Sequence, residues 1–269
     1  MNNYKWIIIL ALCNFCSGQI LSGARQTGLS YSDIALTGNI FSLFSNPAGV
    51  ENISNPELAV FYSPSPFGMK ELSTGYAAVT NDFEVFRATA GYSIYGFELY
   101  KENSFYLGLS KTFSGRIYTG FTLSLTNISI KNYGSTSVFR LNLGMIYSVS
   151  EFVNLGFTIQ NLTRSKVKND DKPMPVCYDF GVSVFPIKDI SVNIAAEKEI
   201  YFETSFRFGI EYRIIEYLAL RSGLTTEPDT FSAGMGIYYS FLNISYAFRN
   251  HNELGMTHQI ELVINFPKD

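Results

Sequence analysis

The chain carries two histidines, His251 and His258, both near its C-terminal end. Their spacing matches no zinc motif. No Gly-x-Ser-x-Gly elbow presents a serine to a base. Both histidines read as loop or interface residues. Cys13-Asn-Phe-Cys16 has the form of a redox or zinc pair, but it lies in an apolar N-terminal run that reads as a leader. Maturation would leave Cys177 alone, with no disulfide framework. Asn169-Asp-Asp171 could attract a cation, although a solvated charge cluster is the plainer reading. The expectation is a protein that is not an enzyme, with no metal and no cofactor.

Composition sets the class. The 269 residues are 16% charged and 16% aromatic, with 18 Tyr and 23 Phe. A soluble domain carries about 25% charged residues. Mean hydropathy is nevertheless only +0.08, too low for a bundle of membrane helices. Transmembrane barrel strands alternate apolar and polar positions and so average to a middle value. Net charge is -3 and the pI about 5.5, which argues against nucleic acid as a partner.

The N-terminus has the parts of an export signal. Lys5 is the positive residue, Trp6–Cys13 the short apolar core, and Cys16-Ser-Gly18 the small-residue cut site. Residues 1–18 are therefore expected to be a cleaved signal peptide. Beyond them no run of about 18 apolar residues occurs, so no transmembrane helix is expected.

Residues 19–55 are mixed and rich in Gly and Ser, whereas residues 56–266 repeat a period of two. In 138–147, Phe139, Leu141, Leu143, Met145 and Tyr147 oppose Arg140, Asn142 and Gly144. In 258–266, Ile260, Leu262, Ile264 and Phe266 oppose Gln259, Glu261 and Asn265. Successive strand side chains point to opposite faces, so each segment has one apolar and one polar face. About fourteen such segments follow one another, many near the 9–11 residues of a membrane-crossing strand. The expected fold is all-β, a transmembrane antiparallel barrel over 56–269 with an N-terminal plug over 19–55. Tight turns at Asn81-Asp82, Ser114-Gly115, Ser148–Glu151, Pro186–Asp189 and Ser240-Phe241 would face the periplasm. Longer links at Gly96–Asn103, Leu162–Pro173 and Arg249–Thr257 would face outward.

A barrel of this size lies between the side-chain-filled and water-filled classes. The loops are too short to close it, so residues 19–55 are expected to fold into the lumen. Parity places Arg87, Arg140, Asp179, Glu203, Arg207, Glu211, Arg221, Arg249 and Glu261 inward. Both signs occur, as in a lumen of paired charges.

Several stretches together resemble one family: Gly23-Ala-Arg25, Phe41-Ser-Leu-Phe-Ser-Asn-Pro-Ala-Gly-Val50, Leu155–Leu162, Phe208–Arg213, Tyr217–Gly223 and Leu254–His258. The combination resembles the PorV/PorQ family of outer-membrane barrels, within the broader FadL-like fatty-acid-transporter superfamily. That resemblance implies a fourteen-stranded barrel with an N-terminal hatch, in the outer membrane of a Gram-negative bacterium and in contact with its lipid. Asn46, Pro47, Ala48 and Gly49 carry over as hatch structure. The FadL branch passes hydrophobic molecules through a gap in the barrel wall. The PorV/PorQ branch serves type IX secretion by carrying or attaching cargo at the cell surface. The outer loops are shorter here than in many relatives.

Three readings follow. A transporter of hydrophobic molecules requires an apolar pocket near the hatch and a break in the wall. Ile34, Leu36, Ile40, Phe41, Leu43 and Phe44 are the expected lining of its ligand. A secretion accessory requires protein cargo as partner and an occluded lumen. A structural or surface-exposed barrel requires neither.

Overall fold

In the computed structural model, residues 22–166 and 173–267 are described. The leader, Asn169–Asp171 and the last two residues lie outside them. Fourteen antiparallel strands close into a barrel, each paired with its sequence neighbours and β1 with β14. They are β1 (Glu57–Ser63), β2 (Thr74–Asp82), β3 (Arg87–Phe97), β4 (Tyr100–Phe113), β5 (Ile117–Ile130), β6 (Gly134–Ser150) and β7 (Val153–Gln160). The circuit continues through β8 (Cys177–Ile187), β9 (Ile190–Glu199), β10 (Ser205–Ile215), β11 (Leu218–Thr226), β12 (Asp229–Tyr239), β13 (Leu242–His251) and β14 (Gly255–Asn265). Closure leaves no sheet edge along the body of the barrel, which is what lets strands lie in lipid.

The alternation sorts the faces. On β10, Phe206, Phe208, Ile210 and Tyr212 are exposed outward, whereas Ser205 and Gly209 are buried. On β14, Thr257, Gln259, Glu261 and Val263 are buried while Ile260 is 55% exposed. The buried interior is thus largely polar and the exposed face apolar, the inverse of a soluble sandwich and the pattern of a barrel in lipid.

Every link between β2 and β3, β4 and β5, and so on round one end is short. At the other end only 64–73 and 161–176 are long. Two links expected to be long are tight hairpins: β3 turns into β4 through Glu98-Leu99, and β13 into β14 through 252–254. Side-chain alternation fades there because the strands leave the apolar layer. The backbone ladder needs no apolar side chain, so pairing continues to the turn.

One helix, α1 (Ala24–Gly28), and three short 3₁₀ turns (Asp33–Ala35, Ile40–Phe44 and Pro47–Val50) make up the segment before β1. It lies inside the barrel. α1 sits against β11–β14, the Asp33–Ala35 turn against β7–β9, Ile40–Phe44 against β1–β3 and Pro47–Val50 against β4–β6. Leu29 and Ser32 meet β10 at Gly209. The segment therefore winds once round the lumen and touches all fourteen strands.

Candidate functional site

The functional question is what the lumen can pass, and its content begins with glycine. At one inward position per strand, thirteen strands carry Gly or Ala: Ala59, Ala78, Gly91, Gly108, Gly120, Gly144, Gly156, Gly181, Ala195, Gly209, Gly223, Gly234 and Ala247. Neighbours in this belt face each other across the ladder, as Ala59 and Ala78, Gly120 and Gly144, Gly156 and Gly181, and Gly209 and Gly223 do. A Cβ on Gly120 would lie 2.7 Å from the Pro47 carbonyl, and one on Gly181 2.7 Å from Ile34 Cβ. One on Gly156 would overlap the Ile34 carbonyl. The wall is stripped of side chains where the hatch backbone presses on it. Packing this close leaves no room for solvent between the two surfaces.

The Asn46–Gly49 motif shapes this contact. Asn46 Oδ1 accepts a hydrogen bond from Ala48 N–H at 3.2 Å, capping the turn that Pro47 opens. Its Nδ2 donates to the Ile34 carbonyl at 2.7 Å, tying two hatch turns together. Ala48 packs on Tyr118 and Ile146 of the wall. A Cβ on Gly49 would strike the Leu36 carbonyl at 2.7 Å.

Ile34, Leu36, Ile40, Phe41, Leu43 and Phe44 are all buried, none more than 5% exposed. Ile40, Phe41, Leu43 and Phe44 form one cluster with Phe61, Tyr76 and Val263 of the wall. Phe44 stacks edge-on against both Tyr76 and Tyr106, with ring centroids 4.8 Å apart in each case. These side chains fill the lumen. None of them lines either of two cavities found at the surface of the protein. One, of about 410 Å³, opens at the short-turn end between Thr37, Asn52, Arg116 and Glu151. The other, of about 200 Å³, is a dent in the outer wall at Gly75, between Tyr62 and Ile94.

The inward charges are mostly engaged. Glu211 receives Arg25 of the hatch, Nη2 to Oε1 at 2.8 Å and Nε to Oε2 at 2.9 Å, and Arg221 Nε at 2.5 Å. Glu261 caps α1 by accepting from Ala24 N–H at 2.7 Å. Arg207 pairs with Glu197 at 2.6 Å. Asp179 accepts from Thr158 Oγ1 and Gln160 Nε2. Arg87 donates to the Ile53 carbonyl at 2.6 Å, and Arg140 to Thr126. Arg249 reaches Thr230 and lies over the Tyr31 ring.

Glu203 is the exception. It was expected inward, yet it is exposed in the link between β9 and β10. β10 starts only at Ser205, because 201–204 continue the alternation without a ladder partner. Arg25, Glu197 and Glu51 join these charges without standing out as charges in the sequence, the last bound by Ser110 and Thr112 at 2.6 Å each. The signal that could have found the hatch contact was present: glycine recurs at inward parity on strand after strand.

The wall is hydrogen-bonded strand to strand all the way round, and β2, β3 and β4 pair without a register shift. Shifts occur only at β6/β7, β8/β9 and β10/β11, all at the short-turn end.

Comparison with known proteins gives one family and one fold. The profile of the family described as type IX secretion system membrane protein PorP/SprF matches residues 51–264. No curated protein sequence matches the chain. Among solved structures, the toluene transporter TodX of Pseudomonas putida is similar at 12% identity and a TM-score of 0.68, covering 92% of this chain and 99% of that one. A FadL homologue of Pseudomonas aeruginosa is similar at 11% identity and 0.60, covering 91% and 98%. At such identity the likeness is one of fold: a closed fourteen-stranded barrel of FadL type.

Proposed function

Because this chain belongs to the PorP/SprF family of type IX secretion system membrane proteins, placed in the outer membrane, we propose that it handles secreted protein cargo there and passes no solute through its lumen. The observation that carries this reading is the hatch bedded on the glycine and alanine belt, against all fourteen strands. A lumen packed in this way suits a holder or carrier. A channel needs a path, and a hatch pressed onto the wall all the way round leaves little space for one. In the finer form of this reading the protein works in the manner of PorV/PorQ, carrying or attaching cargo at the cell surface. It has no catalytic role, and a leader over 1–18 delivers it across the inner membrane. The short-turn end faces the periplasm and the end with links 64–73 and 161–176 faces outward, the usual asymmetry of such barrels.

The test has two parts. Purified protein in a planar bilayer is expected to give no stable conductance. A strain lacking the chain is expected to lose a defined set of proteins from its surface while their synthesis continues. Steady ion-sized conductance, together with a surface proteome equal to the parent's, would overturn the proposal.

A further inference from the structure

The outward side chains of β1 to β4 form rungs across the wall. Val60, Ala77, Tyr92 and Phe105 make an apolar one. The next, toward the end with the long links, is Tyr62, Gly75, Ile94 and Asn103. Above it Gly96 stands beside Lys101. Gly75 leaves a hole in the middle rung. That hole is the dent of about 200 Å³ between Tyr62 and Ile94, with Lys101 and Asn103 also on its lining. Packing does not demand a glycine here as it does in the inner belt. A Cβ on Gly75 would meet only the Ile94 side chain, its Cγ1 at 3.3 Å, and the Phe61 carbonyl at 3.8 Å.

The dent straddles the edge of the apolar band. Its floor adjoins the rung of Val60, Tyr92 and Phe105, all exposed to hydrocarbon. Its upper rim is polar, so it lies at the level of lipid headgroups. The rim is one-sided in charge. Lys101 is exposed and is the one charged residue on the lining among the described residues. Glu98, in the adjoining turn, is engaged by Lys131. Among the described residues no carboxylate pairs with Lys101. Asn103 Oδ1 accepts from the Tyr92 hydroxyl at 2.9 Å, which leaves the Asn103 amide nitrogen as a donor. The rim therefore offers an ammonium, an amide N–H and the Tyr62 hydroxyl above an apolar hollow. That combination suits an anionic head on an apolar tail, and a lysine ammonium is a point charge that phosphate accepts.

We propose that this dent holds one phosphorylated lipid of the outer leaflet, with an acyl chain over Gly75 and a phosphate on Lys101. The outer leaflet of an outer membrane is built of phosphorylated, acylated glycolipid, which has both parts. The inference goes beyond the handling of cargo and rests on that reading only for the orientation that turns the long-link end outward.

The experiment extracts the barrel from its native outer membrane in mild detergent and weighs the lipid that stays bound by native mass spectrometry. Occupancy is normalised to folded barrel, judged by heat-shifted gel mobility. The parent is compared with Lys101→Gln, Gly75→Leu and Lys131→Gln. The parent is expected to carry one phosphorylated glycolipid per barrel. Lys101→Gln is expected to lower occupancy about fivefold, the factor of one lysine at an anionic membrane surface. Gly75→Leu fills the dent from the lipid side and is expected to lower it at least as far. Lys131→Gln removes a lysine at the same end that is already paired, and is expected to match the parent. Parental occupancy in either of the first two variants would overturn the site. Equal loss in Lys131→Gln would overturn it in favour of general charge at the rim. A bound glycerophospholipid in place of the glycolipid would overturn the outer-leaflet assignment and the orientation with it. Cargo display, the readout of the secretion reading, is separate from all of these.

Discussion

Arg25 and Glu211 join the hatch to the wall by two parallel hydrogen bonds, Nη2 to Oε1 at 2.8 Å and Nε to Oε2 at 2.9 Å, across 186 positions of sequence. The fork geometry matches guanidinium to carboxylate as no lysine could. Arg221, whose side chain is fully buried, holds the same Oε2 from the neighbouring strand and donates on to Tyr238 at 2.5 Å. One carboxylate thus neutralises two cations inside the barrel.

Removing that carboxylate should destabilise the lumen strongly. Glu211→Gln leaves Arg25 and Arg221 without a counter-charge, and breaking a buried pair from one side costs about 3–5 kcal/mol. Arg25 is partly accessible, so Arg25→Lys should be milder, on the order of 1–2 kcal/mol for a lost charge-assisted bond. The temperature at which the folded form shifts on a gel should fall in the order parent, Arg25→Lys, Glu211→Gln. Equal transition temperatures in all three would refute the idea that this pair fastens the hatch.

The belt makes a graded prediction. A Cβ at Gly156 meets the Ile34 carbonyl and the Ala35 backbone, whereas at Gly91 it meets the ends of the Leu43 and Phe44 side chains. Flexible side chains can yield and backbone cannot. Gly156→Ala should therefore destabilise more than Gly91→Ala, the second lying near the ~1–3 kcal/mol typical of overpacking. Limited proteolysis of the hatch is the sensitive readout, with cleavage before β1 rising first in Gly156→Ala. The reverse order would argue against a hatch bedded on that side.

Asn46 does two jobs, and two substitutions separate them. Asn46→Ser keeps a neutral oxygen that can cap Ala48 N–H but loses the amide that reaches the Ile34 carbonyl. Asn46→Ala loses both. Loss of an N-cap is worth about 0.5–2 kcal/mol, so the alanine variant should unfold at lower denaturant than the serine variant by that margin. If serine proves as harmful as alanine, the tie to Ile34 outweighs the cap.

The six apolar hatch residues provide a test between packing and transport. Phe44→Ala removes a ring that touches Tyr76 and Tyr106, and such a truncation in a core costs about 3–5 kcal/mol. As packing, it should lower stability and leave uptake of toluene into proteoliposomes at the protein-free rate. Uptake that is fast in the parent and lost in Phe44→Ala would restore the transport reading.

Much of this architecture was readable before any coordinates. Period-two alternation arises from the backbone of a single strand, so it survives in a sequence whatever the neighbours are. The alternation marks about fourteen segments, and its parity is why Arg87, Asp179 and Glu261 turn away from lipid. Tertiary structure decided what a local period cannot carry. It decided where the ladder ends: pairing runs on past the apolar layer through Glu98-Leu99 but does not reach back to Glu203. It decided which distant groups meet, as Glu261 caps α1 from 237 positions away. Most of all it decided whether the lumen is full. Glycine at inward parity shows only that a side chain is missing, and it takes the path of the Ser22–Asn55 segment round the barrel to turn that row of absences into a seat.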